Sequence, residues 1–202
     1  DTIVLAAGAR PRIPDIAGLA DVRFHTSATI MRVPTPPPRL AILGGGFIAC
    51  EMGHVFQAAG SQVTIINRSQ QLLRNHDDEI SERFTQVFGE RFDLRCGETP
   101  TQIRHEGDEI IIEFPTGDPI VADELLVATG RIANGEQLGV AETGVEIDDS
   151  GYVVVDEHQR TAVDGIWALG DICNPMQLKH TANAETKVVA HNIHNQDDLQ
   201  VV

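Results

Sequence analysis

Residues Arg39–Ser69 read RLAILGGGFIACEMGHVFQAAGSQVTIINRS. Leu40–Leu43 are a short apolar run of the kind buried on both faces of a parallel sheet. Gly44, Gly45 and Gly46 follow at once, and then Ile48, Met52, Val55, Phe56 and Ala59 recur at helical spacing until Gly60 closes the helix. Val63–Ile66 form the next apolar strand. Gly44-x-Gly46-x-x-Ala49 therefore sits between a strand and a helix, where a dinucleotide fingerprint works. The first glycine allows the tight turn and the second lets a pyrophosphate approach the backbone. The small third residue lets helix and strand pack closely. Free N–H groups at the helix start then face the phosphates.

An acid at the end of the second strand would hold the ribose 2′-hydroxyl of NAD. The chain instead reads Asn67-Arg68-Ser69-Gln70-Gln71-Leu72-Leu73-Arg74, and after Glu51 the next acid is Asp77. Arg68 and Arg74, with Ser69 as a hydroxyl donor, suit a 2′-phosphate and hence NADPH. The bland alternative is two solvated surface arginines.

Outward from this unit, residues 1–8 read as a terminal strand ending in Ala6-Ala7-Gly8, and Pro11 and Pro14 break regular structure. Thr26 or Ser27 is expected to cap a short helix to about Arg32, before the stiff run Pro34-Thr35-Pro36-Pro37-Pro38. Asp78–Phe88 predicts a helix with Ile80, Phe84, Val87 and Phe88 on one face and acids at its N-terminus. Phe92–Cys96 predicts a strand. Residues 100–121 change to an alternating period broken by Glu106-Gly107-Asp108 and Thr116-Gly117-Asp118, an antiparallel meander. Leu125–Ala128 returns as a buried strand ending in Thr129-Gly130. Tyr152–Val155 and Ile166–Leu169 predict strands, the second ending in Gly170-Asp171. A helix is expected from about His180 to His194, with Ala184, Val188 and Ala190–Ile193 apolar. The fold class is α/β.

Composition narrows the function classes. The 202 residues carry a formal charge of −15, which argues against general nucleic-acid binding but leaves room for a local basic site. No apolar run approaches the roughly 18–20 residues of a membrane span. The three cysteines, Cys50, Cys96 and Cys173, lack metal-ligand spacing and fit reduced, mostly buried thiols of a cytoplasmic protein. Cys50 lies in the first helix, near its packed face, as a structural thiol. The pair His191 and His194 has no visible third ligand, so no metal site is expected. By their residues alone, Asp171 is either an acceptor for a cofactor hydroxyl or an Asx-type turn, and His180 is either at an anion-facing helix start or a plain loop histidine.

Four motifs in order carry a resemblance: Ala6-Ala7-Gly8-Ala9-Arg10-Pro11, Gly44–Glu51, Ala128-Thr129-Gly130-Arg131-Ile132-Ala133-Asn134, and Thr161–Asp171. The chain resembles the flavin-dependent pyridine nucleotide–disulfide oxidoreductases over essentially its whole length. Within that family, Gln177–Asn183 looks most like the mycothione (mycothiol-disulfide) reductases. The resemblance implies a Rossmann-like NADPH-binding domain at 9–131. It implies parts of a second Rossmann-like, FAD-binding domain at 1–8 and 132–202. Gly44, Gly46 and Ala49 would hold the NADPH pyrophosphate, with Arg68, Ser69 and Arg74 at the 2′-phosphate, and Ile48 and Asn67 would also bind NADPH. Phe47 would gate the flavin ring, and Glu51 and Gly130 would lie by the nicotinamide. Gly8, Arg131, Gly170 and Asp171 would line the FAD site, with Asp171 on the ribityl chain. Lys179 and His180 would present N–H groups near the flavin N1/O2 edge, and Leu178 would also bind FAD.

The resemblance further implies a homodimeric parent that reduces a low-molecular-weight disulfide, mycothione on the strength of Gln177–Asn183. Alternatives are an NAD-linked dihydrolipoamide dehydrogenase-type enzyme or a non-catalytic nucleotide-binding module. The family's N-terminal FAD fingerprint, its C-x-x-x-x-C redox pair and its C-terminal His–Glu pair are not in this sequence. The chain is therefore expected to be the middle of a longer enzyme, to hold no catalytic residue of its own, and to expose apolar surface at 1–8 and 132–202.

Overall fold

A computed structural model describes residues 1–202, the side chain of Ala141 excepted. In chain order the strands and helices are β1 (Ile3–Leu5), β2 (Ala9–Pro11), β3 (Arg39–Leu43), α1 (Phe47–Ala58), β4 (Gln62–Asn67), α2 (Asp78–Gly89) and β5 (Asp93–Cys96). They continue with β6 (Gln102–Glu106), β7 (Glu109–Glu113), β8 (Ile120–Ala122), β9 (Glu124–Val127), β10 (Arg131–Ala133), β11 (Ile166–Ala168) and α3 (Lys179–His194). The chain divides into two compact units, one of Pro11–Gly130 and one of Asp1–Arg10 with Arg131–Val202. The crossovers fall a residue or two from the sequence-based boundaries.

The Pro11–Gly130 unit is built on a four-stranded parallel sheet in the order β5-β4-β3-β9. Alternation along β3 decides its layers. Ala41 and Leu43, with Ile66, Leu125 and Val127, face the meander β6-β7-β8 and pack on Ile103, Ile110, Ile112 and Ile120. Leu40 and Ile42, with Val63, Ile65 and Leu126, face the helical side and pack on Ala49, Phe56, Leu72 and Phe92. Both faces of β3 are covered, which is why its run is uninterruptedly apolar.

Several expectations shift. The buried face of α1 is Ala49, Cys50, Gly53 and Phe56, while Val55 is exposed. The helix lies so close to the sheet that a Cβ on Gly53 would stand 3.2 Å from Ile65 Cδ1, so the small residues face inward. On α2, Ile80 and Val87 are exposed and Ser81 is buried. Its inner face carries polar anchors: Ser81 Oγ donates to the Leu73 carbonyl at 2.9 Å and Thr85 Oγ1 accepts from Leu72 N at 2.9 Å. The predicted helix before Arg32 is a single 3₁₀ turn, Ile30–Arg32, whose lead-in is held by the Thr26 carbonyl accepting from Thr29 and Ile30.

Arg39 locks the start of β3. Its guanidinium meets Asp123 Oδ1 at 2.5 Å and Glu109 Oε1 at 2.7 Å, and its backbone N–H donates to Asp123 Oδ2 at 2.8 Å. Hydrogen bonding to Arg39 holds the Asp123 carboxyl below the usual carboxylate range. Its stabilising contribution is therefore complete above an ordinary carboxylate pKa of about 3.9 and is lost as pH falls through the lower folded value. Asp123→Asn is expected to flatten that part of the acid-unfolding profile; thermal melts between neutral and acid pH check it.

In the other unit β1 pairs in parallel with β11, β2 pairs with β10, and α3 packs on the Gly170–Ile172 turn. Val140, Val145, Val153, Ala168 and Ile172 form its core. Tyr152–Val155 is not a strand: only Val153 bridges, to Ile147, because Asp148 folds the segment into a turn by accepting from the Ser150 and Tyr152 N–H groups. The inner face of α3 is Glu185, Val188, Val189 and Asn192, rotated from the predicted one, with Ala184 and Ala190 outside. Ile3, Val4, Leu138, Val154, Met176 and Leu178 are exposed, in line with the expected apolar surface. No helix is long and apolar enough to cross a membrane.

Candidate functional site

The glycine turn stands at the C-terminal end of β3. Gly44 has φ +124°, and a Cβ there would fall 2.2 Å from the Ala128 carbonyl oxygen, so the turn presses on the end of β9. Gly46, the N-cap of α1, is the reverse case: it is exposed, and a Cβ on it would meet nothing within 4 Å. No side chain caps the helix. The turn thus offers open backbone and uncapped N–H groups, the cradle a phosphate needs. Ala49 is fully buried against the sheet, Ile48 is half-buried, and Phe47 and Glu51 are exposed beside the cradle.

The segment after β4 is strapped to this turn at two points. The Asn67 side chain packs on Gly45, where a Cβ would come within 2.4 Å of its Cγ. The Leu73 N–H donates to the Gly45 carbonyl at 2.7 Å, with Leu73 itself at φ +53°. Arg68 and Arg74 are the next residues after these two anchors, so both flank the glycine turn. Both are exposed, and among the described residues neither pairs with a carboxylate.

Asn67 corrects its expected part. Its amide donates to the Ser69 carbonyl at 2.9 Å and the Gln71 carbonyl at 2.8 Å, so the carboxamide holds the loop and leaves no donor for a ligand. The Ser69 carbonyl also accepts from Gly97 N, which leaves the half-buried Ser69 hydroxyl as the only predicted neutral donor there. Leu73 and its left-handed backbone gave no sign in the sequence, since leucine rarely adopts it.

At the end of β9, Gly130 has φ +121°. Thr129 Oγ1 donates to the Arg12 carbonyl at 2.7 Å, and Arg12 N donates to the Gly130 carbonyl at 2.9 Å. Sequence reading passed over Arg12, which lies in no motif.

In the second unit, Arg131 and Asp171 meet at 3.1 Å and Arg131 also donates to the Ala9 carbonyl at 2.8 Å. Asp171 is therefore an ion-paired carboxylate on the Gly170–Ile172 turn, with one oxygen uncommitted, rather than a lone one. Arg131 Nε is buried and has no hydrogen-bond partner among the described residues. Gly8, at φ +67°, accepts from Asn134 N, with open space where its Cβ would be. Leu178, Lys179 and His180 are exposed at the uncapped start of α3. Glu185, absent from the sequence reading, is 1% exposed and accepts from Gly170 N at 2.6 Å and Asn174 Nδ2 at 2.5 Å, fixing the Asp171 turn to α3. Its sequence sign was an acid at the head of the stripe Glu185, Val188, Val189, Asn192.

The cysteines are packing groups. Burial pushes the Cys50 and Cys173 thiols up to about 12, with Glu185 adding to the effect at Cys173. Cys96 is also raised by burial. None is a thiolate at neutral pH.

A family model described as pyridine nucleotide-disulphide oxidoreductase matches residues 1–186. A mycothione reductase of Mycobacterium tuberculosis is 44% identical over 193 residues, 96% of this chain and 42% of that protein. A glutathione reductase of Burkholderia cepacia is 36% identical over 95% of this chain and 42% of its own length. The HOCl-induced flavoprotein disulfide reductase RclA from Escherichia coli superposes with a TM-score of 0.89 over 99% of this chain and 46% of that one, at 24% identity, a likeness of fold. The chain spans about two fifths of the length of these curated relatives. With the glycine turn, the Ala128–Arg131 segment and the Gly170–Asp171 turn all inside the matched span, the chain belongs to the pyridine nucleotide-disulphide oxidoreductase family.

Proposed function

We propose that this chain is the NADPH-binding portion, with part of the FAD-binding portion, of a flavoprotein disulfide reductase. The observation that carries the reading is the pair of arginines without carboxylate partners, Arg68 and Arg74, each adjacent to a residue fastened on Gly45. In a chain with twice as many acids as bases, 30 against 15, two free cations beside a phosphate cradle point to a doubly charged phosphate. No acid stands at the end of β4 to favour the unphosphorylated ribose.

The residues fit the two cofactors unequally. Gly44, Gly46 and the start of α1 would hold the NADPH pyrophosphate, and Arg68, Ser69 and Arg74 its 2′-phosphate. Phe47, Glu51 and Gly130 would lie toward the nicotinamide. For FAD this chain offers Gly8, the uncommitted Asp171 oxygen beside Arg131, Gly170, and the free N–H groups at Leu178–His180. These residues would hold NADPH as a hydride source and FAD as an electron carrier, which in the longer enzyme would serve a cysteine pair and a small disulfide. The likeness to a mycothione reductase supports mycothione as that disulfide. A cytoplasmic homodimeric parent belongs to the same proposal.

Calorimetric titration of the chain with NADPH and NADH tests the reading. The chain is expected to prefer NADPH, and Arg68→Ala and Arg74→Ala to weaken NADPH by about tenfold each while leaving NADH unchanged, since a charge-assisted hydrogen bond is worth about 1.5–3 kcal/mol. Equal affinity for the two nucleotides, unmoved by either substitution, would refute it.

A further inference from the structure

We propose that Arg12 is a third cofactor-facing cation, which binds the nicotinamide-side phosphate of the NADPH pyrophosphate; the inference rests on the NADPH reading above. The sheet order puts three chain segments side by side at one edge. The Arg68–Arg74 loop follows β4, the glycine turn follows β3, and Ala128–Gly130 follows β9. Neighbouring strands lie about 4.8 Å apart. A dinucleotide held at its 2′-phosphate beyond β4, with its pyrophosphate starting at the glycine turn, must run its second half toward β9.

Residue 12 is fastened there. Its N–H donates to the Gly130 carbonyl at 2.9 Å and its carbonyl accepts from Thr129 Oγ1 at 2.7 Å. These two bonds tie it to the strand end on which Gly44 presses, where a Cβ on Gly44 would stand 3.2 Å from Thr129 N. The side chain extends over that end: Nε lies 4.0 Å from where a Cβ on Gly130 would be. That is van der Waals distance, so the guanidinium lies directly beside Gly130.

Charge pairing sorts the arginines of the unit. In the same unit Arg23, Arg39, Arg95 and Arg104 are each paired with a carboxylate, whereas Arg12 is exposed and pairs with none among the described residues. Besides Arg68 and Arg74, three others likewise lack a carboxylate partner among the described residues, but Arg32 lines the cavity with Asp123 and Glu124 at the other end of β9, Arg83 lies on α2 and donates to Gln86, and Arg91 donates to Gln57 just ahead of the start of β5. Arg68, Arg74 and Arg12 are then the free cations at the ligand edge, two on the adenosine side and one on the nicotinamide side.

Three ligands separate these parts. NADPH carries both halves, NADH lacks the 2′-phosphate, and adenosine 2′,5′-bisphosphate lacks the nicotinamide-side phosphate. Titrated into the chain, Arg12→Ala is expected to weaken NADPH and NADH by about tenfold, the worth of one charge-assisted hydrogen bond, and to leave adenosine 2′,5′-bisphosphate unchanged. Arg68→Ala is expected to give the complementary pattern, weakening NADPH and the bisphosphate but not NADH. Retained bisphosphate binding also reports that the Arg12 variant is folded. Unchanged NADPH affinity in Arg12→Ala overturns the proposal and leaves the NADPH reading standing, as does an equal loss for NADPH and the bisphosphate, which would make Arg12 a nonspecific attractant. Wild-type chain that binds none of the three overturns both.

Discussion

Gly44→Ala is expected to unfold most of the Pro11–Gly130 unit at temperatures where the wild-type chain is native, whereas Gly46→Ala, two residues on, is expected to melt with the wild type. The added atom is the same in both. At Gly44 it would lie 2.2 Å from the Ala128 carbonyl oxygen and 2.6 Å from its carbon, both backbone atoms of the residue that follows β9, which its own N–H ties to the Leu43 carbonyl at 2.8 Å. No rotamer change relieves that contact; β3 and β9 must separate. The backbone at φ +124° adds strain of its own for any side chain. Overpacking costs about 1–3 kcal/mol and a strained backbone a similar amount, together a large part of the roughly 5–15 kcal/mol that holds a domain folded. At Gly46 φ is −84° and ψ −178°, extended backbone that alanine adopts freely, and nothing stands within 4 Å of the new atom. The space it takes is the approach to the cradle. Gly46→Ala should therefore keep its melting temperature and lose NADPH affinity. Thermal unfolding and NADPH titration on the two variants check this, and a Gly44→Ala chain as stable as wild type would mean that the end of β9 is free to move.

The same contrast marks how much the sequence disclosed. The strand–turn–helix–strand order was legible because β3 and β4 are buried on both faces and the three glycines interrupt the apolar pattern at one point. The meander was legible because its period changes to two. What periodicity could not locate is which side of each helix faces in. In α1, α2 and α3 the inner faces hold Gly53, Ser81 with Thr85, and Glu185 with Asn192. A glycine set by close approach, or a polar group set by a backbone partner distant in sequence, leaves no apolar signal. The fingerprint glycines and the two arginines were visible as residue types. Their juxtaposition was not, because it depends on two long-range contacts: Asn67 on Gly45, and Leu73 N–H to the Gly45 carbonyl. Arg12 was invisible for the same reason, being brought to the site by Thr129 and Gly130, more than a hundred residues along the chain.

Glu185→Ala is expected to cost the Asp171 turn its place, and a paired exchange to restore it. The Glu185 carboxylate is buried without a cation and is satisfied by two donors, Gly170 N–H and the Asn174 amide. Truncation leaves the buried Gly170 N–H and the half-buried Asn174 amide without their acceptor, at up to about 1–3 kcal/mol each. Glu185→Gln alone keeps the shape but turns an N–H₂ toward one of those donors, so it should be nearly as damaging. Glu185→Gln combined with Asn174→Asp reverses the polarity of that one contact. The introduced carboxamide oxygen still accepts from Gly170 N–H and its amide donates to the introduced carboxylate. That carboxylate keeps an oxygen for Met176 N, which Asn174 Oδ1 now accepts at 2.9 Å. Net charge is unchanged. Melting temperature and amide exchange at Gly170 should fall out of line in each single variant and return toward wild type in the double. A double variant no better than the singles would show that Glu185 acts through bulk or charge and not through these two bonds. Because Asp171 is the next residue after Gly170 and pairs with Arg131, the exchange also bears on the FAD reading. A cofactor-facing carboxylate is only as well placed as the turn that carries it, and here that turn hangs on a buried acid eleven residues beyond Asn174.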